Sequence, residues 1–291
     1  MKILITGCKG QLGNEIIKQL KNAKSEIGAI PDVYKNADVT GVDLDDFDLS
    51  DKAAVTEHIE KGGFDLVINC AAFTNVNACE TSVEAAYKAN AIAPMYLAAA
   101  CEKSGAKLVH ISTDYVFSGE ALEPYREYDV TDPQSVYGKT KLAGESFVRE
   151  NCSRYFIMRT SWLYGYIGNN FVKTVMKITK EKGAIKVVDD QVGNPTSAVD
   201  VAHHILLVAA TESYGLYHCT NNGICSWYDF ACEIVRLAKI DAKVTPCTTE
   251  EYPTPAKRPS YSALDNMSLR LSVGDYMRDW RDALKEYVEK L

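Results

Sequence analysis

The apolar run Lys2 to Thr6 (KILIT) turns at once into Gly7-Cys8-Lys9-Gly10-Gln11-Leu12-Gly13. Leu12, Ile16, Ile17 and Leu20 then recur at helical spacing, so the order is strand, glycine loop, helix. Few folds begin this way. Gly7 permits the tight turn, Gly10 lets a pyrophosphate approach the backbone, and Gly13 lets the helix pack on the strand. The N-terminus of that helix offers free N–H groups and the positive end of its dipole to phosphates. A dinucleotide held by Gly7, Gly10 and Gly13 is the expectation.

The alternation continues. Val39 to Val42 (VTGV) reads as a second strand ending in Asp43, after a long irregular stretch from Ser25 to Ala37. Asp43 there can accept bonds from the adenosine ribose hydroxyls and would repel a 2′-phosphate, which favours NADH. Lys9 can meet a 2′-phosphate instead, so NADH and NADPH both stay open. Asp48 or Ser50 can cap the next helix. Phe64 to Cys70 (FDLVINC) is a third strand, and Ala71-Ala72-Phe73-Thr74 after it leave room for a cofactor near the backbone. A helix starts at Ser82, is interrupted or restarted at Pro94, and ends at Gly105. Strands follow at Lys107 to Ser112, Phe156 to Ser161 and Leu216 to Thr220, with helices at Phe171 to Lys182, through Ala209 with Thr196 or Ser197 preceding it, and after Ser272.

Strand and helix in turn predict an α/β fold with a doubly wound parallel sheet of Rossmann type. Ligands then sit at the carboxyl ends of the strands, where Gly7, Ala71 and Thr113 all lie. The expected division is a dinucleotide-binding unit of residues 1–170 with 196–222, and a smaller α+β substrate lobe of 171–195 with 223–291. In that lobe, Lys257 and Arg258 of the Pro-rich EYPTPAKRPS stretch are candidates for an anionic substrate's phosphates.

Val109 to Lys141 carries the chemistry. A strand ends in Ser112-Thr113-Asp114-Tyr115, and Tyr137 and Lys141 stand four apart at the start of a helical pattern. That spacing puts both side chains on one helix face, with Cα atoms roughly 6 Å apart. Of all the tyrosines, only Tyr137 has a lysine four residues on. An ammonium beside a phenol favours the phenolate and lowers the phenol pKa. With a Thr113 hydroxyl to share the oxygen, this set can move a proton on or off a carbonyl oxygen while something else delivers hydride. Trp162, after the strand FIMRTS, can stack on a base or sugar, or be core.

Composition removes several other classes. A net charge of −7 lacks the basic footprint of a nucleic-acid binder. No run approaches the ~20 apolar residues of a membrane span, and MKILITGCKG is too short an apolar run for a signal peptide. Nine cysteines lack any C-x-x-C pair, which points to reduced thiols and a cytoplasmic setting. No His cluster has metal-ligand spacing.

The segments MKILITGCKGQLG, INCAAFTNVNACE, HISTDYVFSG, YGKTKLAGE, RTSWLYG, GNNF, DDQVGNPTSA, NNGICSWYDFA and RPSYSALDN, in this order, resemble the dTDP-4-dehydrorhamnose reductase family, a branch of the extended short-chain dehydrogenase/reductases. The resemblance implies reduction by NADH or NADPH of the 4-keto group of a dTDP-4-dehydro-L-rhamnose, giving dTDP-L-rhamnose. It implies catalytic roles for Thr113, Tyr137 and Lys141, and sugar contacts from Asp114, Tyr115 and Trp162. Around the dinucleotide it implies Gly7, Gln11, Leu12, Asp43, Asp48, Leu49, Ala71, Ala72 and Thr74, the last also near the substrate. Some relatives bind Mg²⁺ through glutamates at a dimer interface. Glu15 matches one such position but Val199 stands at another, so a Mg²⁺ site is doubtful and no metal ligand is assigned. A homodimer stays open. So do two alternatives: a non-catalytic dinucleotide-binding member, such as the regulatory β subunit of methionine adenosyltransferase, and a sister nucleotide-sugar ketoreductase or epimerase.

Overall fold

The computed structural model describes residues 1–291. β1 (Lys2–Thr6) leads through the glycine loop into α1 (Gln11–Asn22), which stops at Ala23 in a left-handed conformation. In the irregular stretch that follows, Tyr34 is buried and its hydroxyl donates to the Leu206 carbonyl at 2.9 Å. β2 (Asp38–Val42), α2 (Lys52–Gly62) and β3 (Leu66–Asn69) come next. Asp51, rather than Asp48 or Ser50, caps α2, accepting from the N–H groups of Ala53 and Ala54. Asp48 closes a turn onto the N–H and hydroxyl of Ser50, and this delays the helix.

After β3 the chain forms α3 (Val76–Thr81), α4 (Val83–Tyr87) and α5 (Ala93–Ser104) before β4 (Lys107–Thr113). The first of these lies ahead of the expected start at Ser82, and its own cap is Asn75. One π turn, Lys88–Ile92, splices α4 to α5. Pro94 therefore sits in the first turn of renewed α-helix, where a missing N–H costs little. α6 (Val136–Asn151) is capped by the Ser135 hydroxyl, which accepts from Gly138 N–H, and β5 (Tyr155–Thr160) follows.

The remaining elements are β6 (Leu163–Tyr164), α7 (Phe171–Lys182), β7 (Ala184–Val188), β8 (Val192–Gly193), β9 (Thr196–Ser197), α8 (Ala198–Ala209), β10 (Gly215–His218), β11 (Cys225–Ser226), α9 (Trp227–Leu237), β12 (Lys243–Cys247), α10 (Met267–Ser272) and α11 (Trp280–Glu289). The last helix does not start directly after Ser272. It waits for Asp279, whose side chain accepts from Arg281 N–H as its cap.

Six strands form one sheet in the order β2-β1-β3-β4-β5-β10, and every neighbouring pair is parallel. The chain reverses its direction of travel across the sheet between β1 and β3, which leaves a crevice at the strands' carboxyl ends. The apolar runs still alternate. Ile3, Ile5, Ile68, Val109, Phe156 and Met158 face the core under α1 and α8. Leu4, Val67, Leu108 and Ile157 face the other core, under α2, α5 and α6. Helices thus cover both faces, as a continuous apolar strand requires.

A third apolar cluster gathers Val172 and Val175 of α7, Val187 of β7, Phe230 and Ile234 of α9, and Trp280 and Leu284 of α11. β7 and β12 pair in parallel beside it. The C-terminal segment is not wholly part of that cluster, because Leu269 and Met277 pack into the sheet core with α8 and β5. No helix is long and apolar enough to cross a membrane.

Candidate active site

One cleft of about 990 Å³ opens along the carboxyl ends of the sheet strands. Gly7, Gly10, Gln11, Leu12, Gly13, Asp43, Asp48, Leu49, Ala71, Ala72, Phe73 and Thr74 line part of its wall, and Thr113, Asp114, Tyr115, Tyr137, Lys141, Trp162 and Arg258 line the rest. Every residue singled out in the sequence for cofactor, substrate or proton transfer borders the same space, with the exception of Lys257. Lys257 does not line it, and its amine stands 3.5 Å from Glu120 at the surface.

The glycine loop is shaped for close approach. A Cβ on Gly7 would come within 2.7 Å of the Ala71 backbone nitrogen, and φ there is +65°. A Cβ on Gly13 would come within 2.4 Å of the Gly7 carbonyl oxygen. Gly10 caps α1 without any side-chain hydrogen bond, so the first-turn N–H groups are not taken up by a side-chain cap. That is a fit for the pyrophosphate of a dinucleotide. Asp43 accepts from the backbone N–H of Lys9 and of Leu44, both at 2.9 Å, and so fastens the loop to the end of β2. The Lys9 amine turns to Asp45 at 2.5 Å. Gln11 is held by Asn170, which donates to its side-chain oxygen at 3.0 Å.

At the other end, Thr113 donates to Asp114 Oδ1 at 2.9 Å and accepts from Tyr115 N–H at 3.2 Å. The Tyr115 and Tyr137 rings meet edge to face, with centroids 5.5 Å apart. Lys141 is buried, and its amine donates to the Ile111 carbonyl at 2.5 Å. Burial drives it towards the neutral amine, down to about 8, against the pull of Glu145 and Cys70. The expectation that Lys141 lowers the Tyr137 pKa is corrected here. Burial pushes the phenol up, and this outweighs the Thr113 hydroxyl, which pulls it down. The reason is that the amine is itself desolvated and committed to a carbonyl. The phenol accordingly carries its proton throughout the neutral range.

Asp114 is almost fully buried and burial lifts its carboxyl to about 6, with the hydroxyls of Ser262 and Thr113 acting the other way. Arg258 donates to the Tyr115 hydroxyl at 2.8 Å and to Asn77 at 3.2 Å, both neutral groups, so its charge is not cancelled by a carboxylate. Trp162, with φ of +44°, stacks face to face on Trp227 at 3.6 Å and 8°. Trp227 also lines the cleft and was not singled out in the sequence. Its signal was there: Ser226-Trp227-Tyr228-Asp229 has the spacing of a capping box, which forms.

Glu15 lies buried on α1, outside this cleft, with Gln19 and Lys18 both donating to it at 3.2 Å. Gln19 also donates to the Val199 carbonyl at 2.9 Å. No group of three or more His, Cys, Asp and Glu side chains is arranged to hold a metal ion.

Residues 1–291 match the family described as RmlD substrate binding domain. The chain is 39% identical over 289 residues to the spore coat polysaccharide biosynthesis protein SpsK of Bacillus subtilis, across 99% of this chain and 97% of that one. A dTDP-4-dehydrorhamnose reductase from Clostridium acetobutylicum superposes with a TM-score of 0.94 at 54% identity, covering 100% of this chain and 99% of that one. A dTDP-4-dehydrorhamnose reductase from Bacillus anthracis, solved in complex with NADP, gives a TM-score of 0.92 at 39% identity, covering 100% and 99%. With its whole length matched, the chain belongs to the RmlD substrate binding domain family.

Proposed function

We propose that this protein is an NAD(P)H-dependent reductase that converts the 4-keto group of dTDP-4-dehydro-L-rhamnose to the alcohol of dTDP-L-rhamnose. The observation that carries the reading is the presence of Thr113, Tyr137 and Lys141 on one cleft with the glycine cradle of Gly7, Gly10 and Gly13. The names borne by the relatives from Clostridium acetobutylicum and Bacillus anthracis support the substrate class. A regulatory, non-catalytic role has no chemical need for that complete set.

Bound along the loop, the nicotinamide dinucleotide would supply the hydride. Gly7, Gly10, Gln11, Leu12 and Gly13 would hold its pyrophosphate, and Asp43, Asp48 and Leu49 its adenosine end. Ala71, Ala72, Phe73 and Thr74 would flank the nicotinamide side. Tyr137, protonated at neutral pH, donates its proton to the ketone oxygen as that oxygen gains charge. Thr113 hydrogen-bonds the same oxygen, a contact worth more in the transition state than before it. Lys141 would anchor ribose hydroxyls and favour loss of the phenolic proton. Asp114, Tyr115 and Trp162 would line the sugar. Arg258, with no carboxylate partner, is suited to the diphosphate. The lobe of 171–195 and 223–291 supplies Trp227 and Arg258 and so bears on sugar choice.

Asp43 at the end of β2 lines the cleft, opposes a 2′-phosphate and slightly favours NADH. The test is incubation with dTDP-4-keto-6-deoxysugars and each cofactor, with product analysis. One cofactor oxidised per dTDP-L-rhamnose formed is the expected result. Sugar isomerised without net oxidation would identify an epimerase, and no reaction with any keto-sugar would remove the reductase reading.

A further inference from the structure

We infer that Gly193 is a positioning residue for sugar specificity: its bare backbone stands behind the Trp162 indole and sets how far that ring reaches into the cleft. The inference deepens the reductase reading and rests on it only for the identity of the sugar that meets the ring.

Trp162 lines the cleft with its backbone in the left-handed region, at φ +44°, which a bulky residue rarely adopts. Such a conformation persists only where the surroundings over-determine it. Here they do so through residues 191–197. Thr196 N–H donates to the Trp162 carbonyl at 3.2 Å, and the Ser161 hydroxyl donates to the Asn194 carbonyl at 2.7 Å. β6, directly after Trp162, pairs with β9. Trp227 N–H donates to the Gln191 carbonyl at 3.3 Å, so the same segment also carries the other half of the indole stack.

Gly193 lies buried between these anchors. Its φ is outside the left-handed region, so conformation does not demand glycine there. Space does. A Cβ on Gly193 would stand 2.9 Å from Trp162 Cε2, 3.0 Å from Trp162 Cζ2 and 2.9 Å from Ser262 Oγ. The backbone is held on both sides and has little room to retreat. Val192 N–H donates to the Ser260 carbonyl at 2.9 Å, and the Val192 carbonyl accepts from Ser262 N–H at 2.8 Å. Asn194 Nδ2 donates to the Gly223 carbonyl at 2.8 Å, and its Oδ1 accepts from Leu264 N–H at 2.8 Å. Trp162 and Trp227 line the cleft, whereas Gly193 and Ser262 do not. The group that yields to an added methyl is therefore the indole, and the open side towards which it yields is the cleft. Glycine at 193 keeps that wall back and leaves width for a sugar ring.

The experiment compares the parent, Gly193→Ala, Trp162→Phe and the double variant Gly193→Ala/Trp162→Phe. Binding of dTDP-L-rhamnose and of dTDP is measured by calorimetry at saturating reduced cofactor, with which the product cannot react. Gly193→Ala should weaken dTDP-L-rhamnose about tenfold, the scale of an extra methyl forced into a packed site, and leave dTDP, which has no sugar, within about twofold. Phenylalanine at 162 ends short of indole Cζ2, so in that background the same methyl should change dTDP-L-rhamnose binding by less than about twofold. An equal loss in both backgrounds overturns the inference, as does relief by Ser262→Ala instead of Trp162→Phe, or an equal loss for dTDP. Crystals of Gly193→Ala should show the indole displaced towards the cleft, and an unmoved ring overturns the inference by itself. If Gly193→Ala does not fold, folding of the double variant supports the contact with the indole, and failure of both overturns it. A parent that binds dTDP but not dTDP-L-rhamnose would instead overturn the reductase reading, and the position of the indole in the crystals would still decide the role of Gly193.

Discussion

Replacing Tyr137 with phenylalanine separates chemistry from folding, and the structure says how far. The ring stays, with its edge against Tyr115 at 5.5 Å, and one hydroxyl is lost. The hydrogen-bonding neighbour of that hydroxyl is Thr113. Deleting one such interaction costs about 1 kcal/mol of stability, a shift in Tm of about 2–4 °C for a chain of this size. General-acid catalysis is worth about 10²–10⁴ in rate, or ~2.7–5.5 kcal/mol at 1.36 kcal/mol per decade. Turnover should therefore collapse while the fold and cofactor affinity hold. Because burial keeps the phenol protonated, the ratio of parent to variant rates should stay flat across neutral pH. The assay is oxidation of NADH or NADPH at saturating keto-sugar, with cofactor binding followed by fluorescence and unfolding by calorimetry. Turnover within about threefold of the parent would refute the assignment of Tyr137 as the acid.

Two further outcomes follow from the site. The folded pKa of Asp114 is raised from 3.8 to about 6, so the folded state binds more protons than the unfolded one between those values, and stability falls as pH rises through that window. Asp114→Asn should remove up to ~3 kcal/mol of that penalty at pH 7 and little at pH 4, read as a Tm gain that vanishes in acid, with sugar affinity weakened. Trp227→Ala removes the stack on Trp162 and should raise KM for the sugar nucleotide roughly 3- to 10-fold with kcat little changed, from the ~0.5–1.5 kcal/mol of an aromatic pair; an unaltered KM would exclude Trp227 from substrate binding.

Much of the fold was legible because parallel strands buried on both faces read as short, unbroken apolar runs, and KILIT, FDLVINC and FIMRTS each fall on a central strand. Gly7 and Gly13 were legible because only glycine tolerates the contacts their positions demand. Three features escaped for one shared reason, that they depend on partners distant in sequence or on rival local groups. Asp51 took the cap of α2 because Asp48 was drawn into its own turn with Ser50. The effect of Lys141 on Tyr137 was misjudged because spacing on a helix does not reveal that Ile111, from another element, claims the amine. The pairing of Glu145 with Arg159 joins α6 to β5 and has no local signature. α3 was missed because six residues are too few for a periodicity to declare itself.

Asp43 lines the cleft, where the proposed function places the adenosine, and at the same time ties down Lys9 N–H in the glycine loop. On the proposed function, cofactor discrimination and loop order are therefore vested in a single carboxylate. An engineer who swaps Asp43 for a small or basic residue to recruit NADPH would also slacken the phosphate cradle, and weaker binding of both cofactors would mask any switch. Asp45 offers a safer lever: it bonds only the Lys9 side chain, and its removal frees that ammonium for a 2′-phosphate while the loop keeps its anchor, whereas Asp46 accepts from the Asp43 N–H and helps hold that anchor.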